Sequence, residues 1–526
     1  MKSLEAGPTL YTSQRRMSNA GKNPVSRRRA HTRRWTSVAT GVQRLYPPNS
    51  LHFLDSCYTN FNLMAKKKTK KAGKNWKKFW KLGAEEFNTQ FLDVSKDGEL
   101  LATEGHHIYN LHDIARKYGT PLQVIFPFVL EDRLKDLIGY FQAYIKIYNY
   151  KGKFFYHYPM KVNQNKEFVL PILSEGANLE VTSANELWIV KKLWEGERFN
   201  SKIRVLCNGP KTDQYIDLVE ELRGKGMNIV PIIEGPEEVE RLSKYKGDIG
   251  IRVDLSIKAD THWDKKFDRF GLSEKDALDL SRIKNLKIMH YHMGSQIKTQ
   301  KSILEAVRHG FNIYTQLQKV HPSLDTLDIG GGFGISHEKK KFYTAKVVSS
   351  NIVKLLKNLA DKAGVKHPNL IVEWGWYIVD PAQITIYKII SKKLIPKANA
   401  KAWYVIDGSF VNDLKDTWTI HQRWHTIPVN NMQDPLRTTW LAGSTCDSDD
   451  KYTAGGNYIL LPKLHEDQDQ YIALLDTGAY QDGLASHHCL LSTPMKIVAQ
   501  DGTVKIVRKR DNAETIGKLF GWNGDH

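Results

Sequence analysis

Lys161 closes the run FFYHYPMK, His292 and Ser295 close LKIMHYHMGS, Gly330–Gly334 follow LDTLDI, and Glu373 follows NLIV. Ser183, Asn208, Glu234 and Arg252 stand at the ends of further β-rich runs. The set combines an amine, an imidazole, a glycine run and a carboxylate. Consecutive glycines let backbone N–H groups converge on an anion, so GGGFG after a strand suits a phosphate. Gly-rich turns are more often simply turns, and most lysines are solvated surface groups. A lysine that ends an otherwise apolar strand is a different matter, because burying an ammonium without a partner is costly.

These residues need a frame that brings strand ends together. From Phe154 the sequence alternates short β-rich runs (FFYHYPMK, NLEVTS, IRVLCNG, NIVPIIEG, DIGIRVDL, LKIMHYHMGS, LDTLDIGGG and NLIVEWG) with amphipathic stretches such as ANELWIVKKLWEG and KSILEAVRHGFNIYTQLQKV. Eight such alternations predict an α/β chain with a (β/α)8 barrel over residues 152–380. In that fold the C-terminal strand ends face one site. After Asp380 the runs QITIYKII, AWYVIDGSF, TTWLAGSTCD, YILLP, YIALLDTGAY and MKIVAQDGTVKIVRK follow one another with turns between them, which predicts a mostly antiparallel β domain over 381–526. The segment 82–151 holds one strand-like run, TPLQVIF, and a helix, and is expected to contribute to the β domain and to the way into the barrel.

The chain carries a formal net charge of +20 over 526 residues, but the charge is concentrated. Residues 1–64 contribute +8 and residues 65–81 a further +9, leaving +3 for the remainder. Residues 1–81 therefore read as a basic, disordered tail, and nucleic-acid binding would rest on that tail alone, not on the main activity. Its Arg and Ser content also fits an organellar transit peptide in residues 1–63, and a translation start at Met64 is the competing reading. No run of about 18 apolar residues is present, so no membrane partner is expected. The four cysteines, Cys57, Cys207, Cys446 and Cys489, lack CxxC or Cys/His ligand spacing, which argues against a disulfide framework or a metal site and fits a reducing, cytoplasmic setting.

YPMKVNQ (Tyr158–Gln164), HYHMGSQI (His290–Ile297), DIGGGFG (Asp328–Gly334), STCDSDD (Ser444–Asp450) and GAYQ (Gly478–Gln481) resemble, in this order, the biosynthetic arginine decarboxylases. These are pyridoxal-phosphate enzymes of the alanine-racemase-like class, fold type III. GSFVNDLKDTWTIHQRWHTIPV (Gly408–Val429) resembles a further segment of the arginine enzymes. The resemblance implies decarboxylation of L-arginine to agmatine and CO2, feeding polyamine synthesis, with pyridoxal 5'-phosphate as cofactor and a suggestion of magnesium. It makes Lys161 the covalent anchor of the cofactor and places His292 against its ring. Ser295, the amides of Gly330, Gly331 and Gly332, and Tyr480 would hold the phosphate, and Glu373 would face the pyridine nitrogen. A carboxylate there favours decarboxylation over racemisation, because it keeps the ring protonated. Cys446 resembles the acid that reprotonates the substrate carbon, and Asp447 the carboxylate that pairs with the substrate's distal cation.

The sequence departs from the family at EWGW, where Trp376 stands in place of an expected arginine. Other basic substrates (ornithine, lysine, diaminopimelate or a carboxylated polyamine) and a non-catalytic regulatory homologue remain alternatives. The implied assembly is a homodimer or higher homo-oligomer in which Cys446 and Asp447 complete the partner's site.

Overall fold

The computed structural model describes residues 74–196, 202–257, 269–280, 283–335, 337 and 343–523. The basic segment up to residue 73, and with it most of the expected tail, lies outside them. The tail boundary itself moves. Lys74–Phe79, assigned to the tail for its charge, forms a helix, and Trp80 and Leu82 just beyond it are buried in the core. The apolar side chains among the lysines decide the matter, since burying a tryptophan outweighs exposing a few lysine stems.

Eight parallel strands close into a barrel: β5 (Phe154–Pro159), β6 (Asn178–Val181), β7 (Arg204–Cys207), β8 (Asn228–Ile233), β9 (Ile249–Arg252), β10 (Leu286–His290), β11 (Thr326–Asp328) and β12 (Asn369–Val372), with β12 pairing back onto β5. All eight runs singled out from the sequence are strands of this barrel. Leu206, Val230, Ile232, Ile288 and Ile371 fill its interior and are wholly or almost wholly buried. Four of the intervening helices begin where a side-chain oxygen satisfies a free N–H: Ser183, Thr212, Thr299 and Thr344 each cap the helix that follows. Along Gln300–Val320 the buried residues Ile303, Val307, Phe311, Tyr314 and Leu317 form one apolar stripe against the barrel.

The chain before the barrel contains β1 (Leu92–Val94), β2 (Leu100–Glu104) and β3 (His107–Asn110), a small antiparallel sheet, followed by β4 (Leu122–Ile125). β4 does not join that sheet but inserts into the second domain, antiparallel to β13 (Gln383–Leu394) and parallel to β20 (Met495–Gln500). The long helix Pro127–Ile147 then packs against the barrel, where Phe141 stacks on Phe154 at 4.1 Å and reaches Trp374 at 5.7 Å.

The second domain is a ten-stranded sheet that also contains β14 (Ala402–Ile406), β15 (Thr426–Pro428), β16 (Leu436–Ala442), β17 (Lys451–Tyr452), β18 (Ile459–Pro462), β19 (Tyr471–Leu474) and β21 (Thr503–Arg508). Its pairs are antiparallel except β14–β16 and β4–β20. No helix among the described residues is long and apolar enough to cross a membrane.

Candidate active site

β5 ends in Pro159, and the chain enters a single 3-10 turn, Met160–Val162, that carries Lys161. Lys161 Nζ lies 2.5 Å from Glu180 Oε2, which comes from the neighbouring β6 and is fully buried. Burial by itself would lower the lysine's pKa, but the carboxylates of Glu180 and Glu373 outweigh it and hold the ammonium above its ordinary range. Glu180 did not emerge from the sequence. It sits inside NLEV rather than beyond the strand, and the available signal was a carboxylate between Leu179 and Val181 in a β-rich run.

Glu373 follows β12 directly and is buried. Its Oε1 accepts a hydrogen bond from Asn208 Nδ2 at 3.2 Å and lies 3.9 Å from His290 Nδ1. His290 Nδ1 is 3.1 Å from Asp328 Oδ2, without the alignment of a hydrogen bond. Burial, and for Glu373 also the neighbouring Asp328 charge, pushes both carboxyls up to about 7. The same burial lowers His290. Of the other strand-end residues, Arg252 Nη1 donates to Glu234 Oε2 at 2.9 Å, and Ser183 is spent as a helix cap.

Two loops interlock above this floor. Gly331 N–H donates to His292 Nδ1 at 3.2 Å, and Ile297 N–H to Gly332 O at 3.0 Å. Gly332 has φ +98°, and a Cβ there would collide with Gly294 O, so only glycine lets the loops approach this closely. Gly330 plays a different part from the one expected: its N–H is used by Asp328 Oδ1 at 2.9 Å, and it shapes the turn without lining the cavity.

Tyr480 arrives from the second domain. Its N–H donates to Val162 O at 2.6 Å, and its ring lies 5.1 Å from that of Trp376. Burial raises its hydroxyl to about 12. The turn before it is anchored by buried Asp380, whose Oδ1 accepts from Ala479 N–H at 3.0 Å and whose Oδ2 lies 2.7 Å from His337 Nε2.

Lys161, His292, Ser295, Gly331, Gly332, Glu373, Trp376 and Tyr480 thus line one cavity. Its chemistry fits pyridoxal phosphate. It offers an amine for the aldehyde, a buried carboxyl for a ring nitrogen, and hydroxyl and amide donors for an anion. Trp376 Nε1 adds a buried donor that interacts with the Tyr480 hydroxyl but forms no well-aligned hydrogen bond in the protein, leaving it able to meet a ligand oxygen. Cys446 and Asp447 lie elsewhere, exposed or partly exposed after β16, and do not line the Lys161 cavity. Cys446 Sγ is 3.4 Å from Cys489 Sγ, and this second thiol raises the pKa of Cys446. Asp447 Oδ2 is 4.0 Å from His488 Nε2.

Two family descriptions match consecutive stretches: the pyridoxal binding domain of pyridoxal-dependent decarboxylases over residues 135–380, and the C-terminal sheet domain of the same enzymes over residues 376–478. A biosynthetic arginine decarboxylase of Prochlorococcus marinus is 24% identical, covering 89% of this chain and 93% of its own. Among solved structures, the biosynthetic arginine decarboxylase of Campylobacter jejuni matches with a TM-score of 0.71 at 20% identity, over 83% of this chain and 92% of its own. The diaminopimelate decarboxylase of M. jannaschii gives the same TM-score at 22% identity, over 82% and 97%.

Proposed function

We propose that this chain, which belongs to the pyridoxal-dependent decarboxylase family, removes the α-carboxyl group of L-arginine to give agmatine and CO2. The observation that carries the reading is the placement of Lys161 and Glu373 in one cavity with a cluster of anion donors. When bound, the cofactor supplies a sink for the electron pair left on the α-carbon as CO2 departs. Lys161 anchors it, and Glu180 sets the protonation of that amine. Glu373, oriented by Asn208, keeps a proton on the ring nitrogen. His292 would lie against the ring, while Ser295, the amide of Gly332, Tyr480 and Trp376 Nε1 would hold the phosphate, with Gly330 and Gly331, whose N–H groups are used by Asp328 and His292, shaping the loop.

Cys446 returns a proton to the α-carbon, and Asp447 pairs with the distal guanidinium. Because neither lines the cavity of its own chain, they act in the cavity of a second copy, and the working unit is a homodimer. Arginine is favoured by the curated arginine decarboxylase relatives and by the segment Gly408–Val429, one turn of which fastens the loop that bears Cys446 and Asp447. Incubating purified protein separately with arginine, ornithine, lysine and diaminopimelate, with and without a chelator to read any magnesium requirement, and identifying the amine formed, tests this. Agmatine is expected. Another amine would keep the chemistry and change the substrate, and no amine from any of the four would overturn the reading.

A further inference from the structure

Cys446 and Cys489 sit on separate loops, one following β16 and one following Tyr480, yet their sulfurs are 3.4 Å apart and both side chains are exposed. Two loosely held loops would not account for this. A single helical turn, Phe410–Asp413, fastens both. On one side Asp450 Oδ1 accepts from Phe410 N–H at 2.8 Å, while its Oδ2 accepts from Thr445 Oγ1 at 2.7 Å and Thr445 N–H at 3.2 Å. On the other side Asn412 Oδ1 accepts from His488 N–H at 2.8 Å, and Asn412 Nδ2 donates to His488 O at 3.0 Å. Asn412 and Asp450 are both buried, so these ties are shielded from competing water. Cys489 has φ 56° and Leu490 φ 52°, a left-handed pair that non-glycine residues adopt at a cost. The Asn412 clamp sustains that conformation, which carries the Cys489 thiol to Cys446.

We propose that Cys446 and Cys489 are a modification site, closing a reversible disulfide under a small-molecule disulfide oxidant and thereby taking the Cys446 thiol out of use. The bond stands on the geometry alone. Its effect on turnover rests on the proposed role of Cys446 as proton donor. Cys489 gives up its proton and attacks a sulfur of the oxidant, forming a mixed disulfide and expelling one thiolate. Cys446, deprotonated in turn, attacks the Cys489 sulfur and expels the second thiolate. The two protein thiols lose two electrons and two protons, and the oxidant takes up both to become two small thiols. The new S–S bond, ~2.05 Å long, lies within reach of side-chain rotation from the observed separation. The third donor of the cluster, His488, brings imidazole and both sulfurs within 4.8 Å of one another, so a soft divalent cation would compete for the same thiols.

The test equilibrates the full-length holoenzyme in graded ratios of oxidised to reduced glutathione, quenches in acid, alkylates, and maps peptides by mass spectrometry while turnover is measured in parallel. A peptide pair linked through Cys446 and Cys489 is expected. Turnover should fall about 100-fold as it forms, at the low end of what a positioned general acid contributes, and return with dithiothreitol. Cys489→Ser should keep its turnover under the same oxidant. Mixed glutathione adducts without the linked pair would overturn the site, as would a bound zinc ion that shields both thiols from alkylation and oxidation. A linked pair that leaves the rate unchanged would overturn the switch. Absence of any amine product from the reduced enzyme would instead count against the proposed function, with the linked pair still readable.

Discussion

Lys161 Nζ lies 2.5 Å from a Glu180 carboxylate closed off from solvent, and Glu373 adds its field to the same amine. An amine must be neutral to attack an aldehyde, so in the proposed role of Lys161 this pairing would set the pH at which it accepts its cofactor. Glu180→Gln keeps the shape and removes the charge. The lysine pKa should then fall, and the alkaline limb of the cofactor-attachment rate should shift to lower pH. Lys161→Ala should abolish attachment and turnover together. A limb unmoved by Glu180→Gln would mean that Glu180 does not govern the amine.

The buried floor predicts how the cofactor-free protein responds to pH. Asp328 and Glu373 titrate near 4 when unfolded and at about 7 when folded, so the folded state binds more protons between those values. Their contribution is full below about pH 4 and is lost as pH rises through 7. His290, held down by burial, works in the opposite sense. Glu373→Gln removes one of the raised carboxyls. Its melting temperature should decline less between pH 4 and 7 than that of the parent, and parallel curves for the two proteins would refute the assignment.

Trp376 offers its indole N–H where a guanidinium was expected. Trp376→Phe keeps an aromatic ring beside Tyr480 and deletes the donor, which should weaken cofactor binding by about tenfold or more, the worth of one hydrogen bond to a charged group. Trp376→Arg should tighten it through a charge-assisted bond. Titrating cofactor into the apoprotein reads both. Unchanged affinity in Trp376→Phe would remove the indole from the phosphate site.

The barrel was legible because its strands are compact, largely apolar runs and several of the following helices announce themselves by a Ser or Thr cap and an apolar stripe. The strand-end rule also found most of the cavity: Lys161, His292, Ser295, Gly331, Gly332 and Glu373 line it, joined by Tyr480 from the other domain. Glu180 escaped because that rule looks past the strand, whereas its carboxylate works from within one. The helix Lys74–Phe79 escaped because nine lysines between residues 65 and 81 hid the apolar residues among them. The place of β4 depends on partners far along the chain, which no local pattern discloses.

Asp450 tests whether the Cys446 loop needs its fastening. Asp450→Ala leaves Phe410 N–H and both Thr445 donors without their acceptor. If Cys446 acts as proposed, cofactor occupancy should stay near that of the parent while kcat falls about tenfold or more, since misplacing the proton donor costs rate and not ring binding. Equal loss of both would assign Asp450 to general stability.

A shared site makes a sharper prediction. Mixed in equal amounts with free subunit exchange, Lys161→Ala and Cys446→Ala chains should place about half of all dimers in the mixed state. Each mixed dimer has one intact site of two, giving roughly a quarter of the parental activity. If each site is built from one chain, mixing restores nothing.

The insertion of β4 between β13 and β20 also dictates an order of events during synthesis. Residues 122–125 leave the ribosome early, but their partners are not made until residues 383–386 and 495–498 have been translated. Through that interval the nascent chain carries an apolar strand with both edges unpaired, a natural client for a chaperone and a point of vulnerability to aggregation. A fragment that stops short of residue 495 should accumulate insoluble, even though its barrel is complete.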